Sequence, residues 1–495
     1  MSSCLRQCLA WNAGSWCALL VALSACGGGG TEPSVPANVA LNSASLSFTA
    51  IGENQQLSAT VTDRSGNRLN ESPVTWSSSN PGIASVTSTG LVTSQGSGST
   101  EVTATAGSAS ATAQVSVVQT LAQLQKVSGE AGTAVAGQPV TPVPTVLVQD
   151  ANNNPVAGVP VTFQVLSGRG RITGETAVTD NSGVAQVGSW QLGSKGTNTL
   201  SATVAGAGIA GNPATFTATG TSSYNIVVQF VGTPTQSQRE AFAEAQNRWE
   251  SLIVGDLADI PLNAAADECD TGLPAVNQTI DDLLILVRLE PIDGPGDIIG
   301  SAGPCFVRSS NDLSVLGSMT LDSDDLEDAE ADGLLSDVII HEMGHVIGFG
   351  SLWGFQGLLA DASLPPTNGT DPHFTGAQAI AAFNEIGGAS YGGNKVPVED
   401  SGGEGMADGH WRESVFTNEI MTGFIGLMQN PLSVVTVASF ADQGYTVNRI
   451  GADGFSLSLA LRAGVAVPQR ELKNDVLRVP IRRVDGAGRI VRQGR

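Results

Sequence analysis

Between residues 37 and 118 apolar and polar side chains alternate in short runs: Ser45-Leu46-Ser47-Phe48, Gln56 through Val61, Val74-Thr75-Trp76, Ala84-Ser85-Val86 and Glu101 through Thr105. A period of two puts the apolar residues on one face of a strand, and Gly, Asn or Pro bounds each run, so the segment predicts a small antiparallel sandwich. Residues 119–221 repeat this grammar. There, Pro144 to Asp150 and Pro155 to Phe163 flank an Asn-rich turn, which predicts a hairpin. From Tyr224 the period changes. A strand over Asn225–Val231 leads to a helix from about Thr235 to Leu252, with Phe242, Ala245 and Trp249 on one face, Ser237 as its cap and Glu240 three residues on. A buried strand is expected over Leu283–Leu289 and another over Gly317–Leu321. A helix from about Leu334 to Gly348 then precedes a Gly-rich region reaching Tyr445. Residues 222–450 therefore read as one α+β domain.

The N-terminus follows a different rule. Arg6, an apolar stretch from Trp16 to Leu23 and the small residues before Cys26 form an export signal over residues 1–26, too short to span a bilayer. A Gly/Pro/Ser linker fills 27–36. The tetrad Leu23-Ser24-Ala25-Cys26, followed by four glycines, resembles a bacterial lipobox. That resemblance implies acylation of Cys26 and an outer-membrane lipoprotein or cell-surface protein, the membrane being engaged through the lipid. The other reading is an ordinary secretory peptide cleaved nearby. With Cys4, Cys8 and Cys17 removed with the signal, Cys269 and Cys305 remain. Two cysteines in an exported domain suggest one disulfide; the alternative is a thiolate that keeps a metal site latent.

Charge narrows the function. The chain has 23 Lys+Arg against 46 Asp+Glu, a net −23, too few cations to neutralise phosphates, so nucleic acid is not an expected partner. The acidity is local. Residues 222–450 hold 7 cations and 33 anions, whereas the tail 451–495 holds 9 and 4. An acidic domain favours neutral or basic substrates. The basic tail has two readings: contact with envelope anions, or folding back on the acidic domain.

One helix carries the unusual chemistry: His341-Glu342-Met343-Gly344-His345, followed by Val346-Ile347-Gly348. Residues four apart share a helix face, so His341 and His345 offer two imidazoles to one zinc ion, with Glu342 beside them as general base for the water that zinc activates. Gly348 lets the chain leave the helix sharply. Catalytic zinc takes three protein ligands, and Ser351 stands where a closely spaced third histidine would fall. His373 and His410 are the remaining histidines; a downstream carboxylate such as Glu385 would serve in a different class of zinc site. The acidic run Asp322–Asp332 lacks the Gly-centred spacing of a calcium loop and reads as a solvated loop. Gly317–Asp322, the last strand before the active helix, is the expected docking strand for an extended substrate. Tyr445 reads as structural.

Three resemblances gather these readings. Val74 through Pro81, Ile83 through Val86 and Gly90-Leu91-Val92 make residues 37–118 similar to the group 2 bacterial Ig-like domain. Pro144–Phe163 with Thr179 through Ala185 make residues 119–221 similar to group 1, invasin-type repeats, which either bind a surface partner or act as spacers. The helix motif, His410-Trp411-Arg412-Glu413-Ser414-Val415-Phe416 and Glu419-Ile420-Met421-Thr422-Gly423-Phe424 resemble the leishmanolysin family of metzincins. The resemblance implies one catalytic Zn²⁺ held by His341, His345 and His410, with Glu342 as base and Met421 in the turn beneath the metal. The expected fold is thus multidomain, two all-β Ig-like sandwiches followed by an α+β zincin (metzincin) catalytic domain. The expected function is an exported metalloendopeptidase acting on proteins or peptides, and the alternative is a surface adhesin that binds through its Ig-like modules and carries a non-catalytic zincin head.

Overall fold

The structure is a computed structural model that describes residues 34–392, 394–427, 429–457 and 469–491. The expected signal with Cys26, most of the linker, and Arg492 and Arg495 lie outside the described residues. The chain divides into two compact units, one ending at Val118 and the other beginning at Gln119.

In the first unit Ser45–Phe48, Ala109–Val117, Gly98–Ala106 and Thr75–Ser78 form a four-stranded sheet, and Asn54–Gln56, Leu91–Ser94 and Ala84–Val86 a three-stranded one. Alternation along Gly98–Ala106 buries Thr100, Val102, Ala104 and Ala106. Both sheets contribute to a core containing Leu46, Phe48, Val92 and Val115. The run Gln56–Val61 is not one strand. Leu57 donates its amide to Gly90 O at 2.9 Å, and Ala59–Thr62 pairs instead with Asn38–Leu41.

The second unit begins with another sandwich, of five- and three-stranded sheets. Its Asn-rich turn is real but does not close the expected hairpin. Asp150 Oδ1 accepts the amides of Asn152 and Asn154, yet Thr145–Gln149 and Pro160–Ser167 belong to different sheets. Pairing ends after Val156 N donates to Val148 O, and the chain crosses over.

The rest of this unit is built on a six-stranded sheet ordered Ile226–Val231, Leu283–Glu290, Ser314–Asp322, Gly300–Arg308, Arg482–Val484 and Ile490–Val491. Gly300–Arg308 runs antiparallel to Ser314–Asp322, whereas the first three strands are mutually parallel. Strands covered on both faces favour continuous apolar sequence, as in the buried run Leu283–Val287. All nine residues of Ser314–Asp322 are buried. That strand is therefore interior, paired on both sides, and cannot accept a substrate as Gly317–Asp322 was expected to; the strand beside it, Gly300–Arg308, sets Gly300 against Glu342. The helix Gln236–Leu252 is capped by Thr235, not Ser237: Thr235 accepts the Gln238 amide and Gln238 returns the bond to the Thr235 amide. The acidic run is also a helix, Ser323–Ala331, rather than a solvated loop. Asp322 caps it by accepting the Asp324 amide, and Asp324 and Asp325 sit in its first turn, where the helix end favours negative charge. Cys269 and Cys305 form a disulfide that ties the sheet to the loop before it.

The C-terminal residues belong to this domain. Arg482–Val484 extends the sheet beside Phe306–Arg308. Arg483 pairs with Asp312 at 2.6 Å and stacks on Phe355, Arg470 pairs with Asp332 at 3.3 Å and Lys473 with Asp297 at 2.7 Å. Of the two readings of the tail, the described part folds back on the acidic domain. No helix among the described residues is long and apolar enough to cross a membrane.

Candidate metal centre

The helix Leu335–Ile347 buries one side against Trp249, whose indole donates to Ile340 O at 2.9 Å, and turns His341 and His345 toward a common point. It ends at Gly348, whose φ of 140° suits glycine and whose amide closes on Gly344 O. Two residues later Gly350, φ 69°, lies so close to Gly409 that a Cβ would fall 2.0 Å from Gly409 O. This backbone contact brings the distant His410 onto the helix face.

Three imidazoles then converge. The Nε2 atoms of His341 and His345 are 2.9 Å apart, and His410 Nε2 is 3.2 and 3.1 Å from them. Each Nδ1 faces a carbonyl, Ile420 O at 2.5 Å for His341, Phe349 O at 2.8 Å for His345 and Met406 O at 2.8 Å for His410. A carbonyl only accepts, so Nδ1 carries the hydrogen and the three Nε2 lone pairs are left facing one another. Such lone pairs repel unless a cation lies between them. Zn–N bonds of about 2.0–2.1 Å in a tetrahedron require nitrogens about 3.3 Å apart, close to the observed spacing, so the donor set fits zinc.

Next to the helix histidines, Met421 is fully buried and packs on Gly344, where a Cβ would come within 3.0 Å of its Sδ and 2.8 Å of its Cε. Its turn is held by Glu419, a buried carboxylate that accepts from the amides of Met421 and Ser433 and the hydroxyl of Thr436. Glu342 is fully buried, both its oxygens lack a hydrogen-bond partner among the described residues, and its carboxyl lies against Gly300, where a side chain would not fit. Burial, and then the charge of Asp475, pushes its pKa well above the ordinary value. Burial likewise lowers those of His341 and His345.

Asp475 is the residue that sequence reasoning missed. It lies in the tail, is fully buried, and places Oδ2 at 3.0 Å from His341 Nε2, 2.9 Å from His410 Nε2 and 3.8 Å from His345 Nε2. His341, His345, His410 and Asp475 thus form one potential metal-binding group. With 64 residues and no motif between it and His410, nothing local in the sequence marks it. Of the other candidates, His373 bonds Asp371 O and Glu385 pairs with Arg449; neither joins the cluster. Tyr445 is structural: its hydroxyl donates to Ile347 O at 2.8 Å, and its ring meets Tyr224 edge-on.

Family models match in three places: the group 2 bacterial Ig-like domain at 37–117, the group 1 bacterial Ig-like domain at 141–219 and leishmanolysin at 271–456. No curated protein matches the chain. Among solved structures, S-layer protein SbsC domains 4 and 5 share 17% identity over 37% of this chain and 98% of theirs, with a TM-score of 0.19. The bacterial integrin-binding protein invasin shares 19% over 38% of this chain and 43% of its own, at 0.26. Adhesin InvE of Yersinia pseudotuberculosis shares 16% over 38% and 59%, at 0.23.

Proposed function

We propose that this chain, which carries two bacterial Ig-like domains followed by a leishmanolysin domain, is an exported zinc-dependent metalloendopeptidase with a metzincin-type catalytic domain. The observation that supports this most is the convergence of three Nε2 lone pairs beside a buried carboxylate with no partner of its own. His341, His345 and His410 would hold the ion, and Met421 packs beneath them. Zinc there supplies a Lewis acid that brings the pKa of a coordinated water down to about 7. Glu342 takes the proton of the attacking water and returns it to the leaving amine, a role suited to a carboxylate whose surroundings raise its proton affinity. An extended protein or peptide substrate would add as a strand to the Gly300–Pro304 part of the strand Gly300–Arg308, beside Glu342 and ahead of the stretch that pairs with Arg482–Val484. The surplus of anions over residues 222–450 favours neutral or basic peptides; equal cleavage of Lys-rich and Glu-rich peptides at low salt overturns that preference.

Ig-like domains and a disulfide both suit an exported, cell-surface protein. Attachment to the outer membrane through Cys26 is part of the same proposal, and nucleic acid is not a proposed partner. In the rival reading the Ig-like modules act as an adhesin on a passive head, which leaves an isolated carboxylate beside three histidines without a purpose.

The full chain is expected to bind one zinc per molecule. Glu342→Gln should retain zinc and lower casein cleavage by roughly 10²–10⁴-fold, the range of a general base. Wild-type protein that takes up no zinc overturns the reading.

A further inference from the structure

The segment Gln469–Leu477 crosses from one wall of the cleft to the other. Gln469–Glu471 pairs antiparallel with Phe424–Gly426, next to the Met421 turn, and Leu472 N donates to Gly423 O at 2.9 Å. Val476 N then reaches Gly405 O at 3.3 Å, and Arg478 donates to Ala407 O at 3.1 Å. On the opposite side, Ala302 N donates to Asp475 O at 2.7 Å and Leu477 N to Ala302 O at 2.9 Å, a parallel bridge on the Gly300–Pro304 part of the strand Gly300–Arg308, which precedes its pairing with Arg482–Val484. These are the backbone groups that an added substrate strand would need. Between the two walls Asp475 sets its carboxylate against the three Nε2 atoms, where a fourth ligand would stand. All five polar residues of the centre are consequently closed to solvent.

We propose that Gln469–Leu477 is a built-in inhibitory strap, which fills the substrate groove as an added strand and presents Asp475 as the fourth ligand of the metal in place of water. The inference rests on the metalloprotease reading above. A catalytic zinc site keeps its fourth position open, whereas four protein ligands make a closed one. In the strapped state the His341, His345, His410 and Asp475 set is closed, and catalysis requires the strap to leave. The strap is held at its start by pairing with Phe424–Gly426 and by the buried Leu472 and Val476, and beside the metal centre by two backbone hydrogen bonds to Ala302; the ion pairs of Arg470 and Lys473 are partly exposed and contribute little each. The leishmanolysin match ends at residue 456, so the strap lies beyond it.

The test uses the full chain with cobalt(II) in place of zinc, whose visible spectrum reports ligands entering the coordination sphere, titrated with acetohydroxamate. Two variants are compared with wild type. Asp475→Asn removes the anionic ligand; Leu477→Pro removes the amide that donates to Ala302 O and leaves the carboxylate in place. If the strap is closed at least nine-tenths of the time, wild type should bind acetohydroxamate about 10-fold or more weakly than Asp475→Asn, with Leu477→Pro between them. Zinc-loaded Asp475→Asn should cleave casein faster than wild type by a similar factor. Equal acetohydroxamate affinity in all three proteins at full metal occupancy overturns the strap and leaves the metalloprotease reading intact. Loss of metal from folded Asp475→Asn makes Asp475 a structural ligand and overturns it too. If Asp475→Asn does not fold, Leu477→Pro decides: tighter binding than wild type supports the strap and unchanged binding overturns it. Wild-type protein that binds no cobalt or zinc removes both proposals.

Discussion

Gly344 shows how one missing side chain fixes the centre. It lies between the two helix histidines, and a Cβ there would meet Met421 Cε at 2.8 Å and Trp249 at 3.1 Å. Gly344→Ala should lower stability by about 1–3 kcal/mol in urea unfolding through overpacking, and Met421→Ala should relieve part of that cost in a double-mutant cycle. Asp282 allows a pH prediction away from the metal. Its buried carboxylate accepts from the amides of Asn225 and Leu257, and burial pushes its pKa up to about 6. The folded state thus binds this proton more tightly than the unfolded one. The stability it contributes is complete below about pH 4 and lost as pH rises through 6, roughly 1–3 kcal/mol in all. Urea midpoints measured from pH 4 to 7 should show that fall in wild type, and Asp282→Asn should lack it.

At the scale of elements, the helix containing Trp249 was readable from its spacing, but its start was not. Thr235, Ser237, Gln238 and Glu240 offer two overlapping cap patterns, and backbone geometry selects Thr235 with Gln238. Thr235→Ala should cost about 1 kcal/mol in thermal or urea unfolding, while Ser237→Ala, inside the first turn, should change stability by no more than about 0.5 kcal/mol. The Asn-rich turn misled for a related reason. Asp150 dictates a tight turn, but whether the outgoing run returns to the same sheet depends on which partner strand buries Val161 and Phe163, and that is settled by the five-stranded sheet.

At the scale of the whole molecule, residues 119–221 are fastened to the domain that follows them. Glu250, buried in the domain that follows, receives Lys195 and the amide of Ile226, and Lys195 N donates to Ser251 Oγ at 2.8 Å. Asn448 donates to Gly193 O at 3.0 Å, and Asp453 pairs with both Arg169 and Arg248. Calorimetry should therefore show the second Ig-like domain unfolding together with the leishmanolysin-like domain, and residues 37–118 as a separate transition. A third, independent transition for residues 119–221 would contradict this. The same coupling predicts that Lys195→Met, which leaves Glu250 buried with fewer partners, lowers the temperature of the joint transition.

Local rules determined much of this protein: the period of two in the sandwiches, the helix carrying His341 and His345 four residues apart, the glycine that ends it, and a segment holding both His410 and Met421. Those features depend on neighbours within a few residues, where backbone geometry dictates which side chains share a face. Tertiary structure alone decided that Gly317–Asp322 is interior, that Ser323–Ala331 is a capped helix, and that the basic tail folds back with Asp475 against the histidines. Each of these depends on groups far apart in the chain whose burial and hydrogen bonding are settled only when strands find their partners, and an aspartate in a basic tail has no periodicity to announce it.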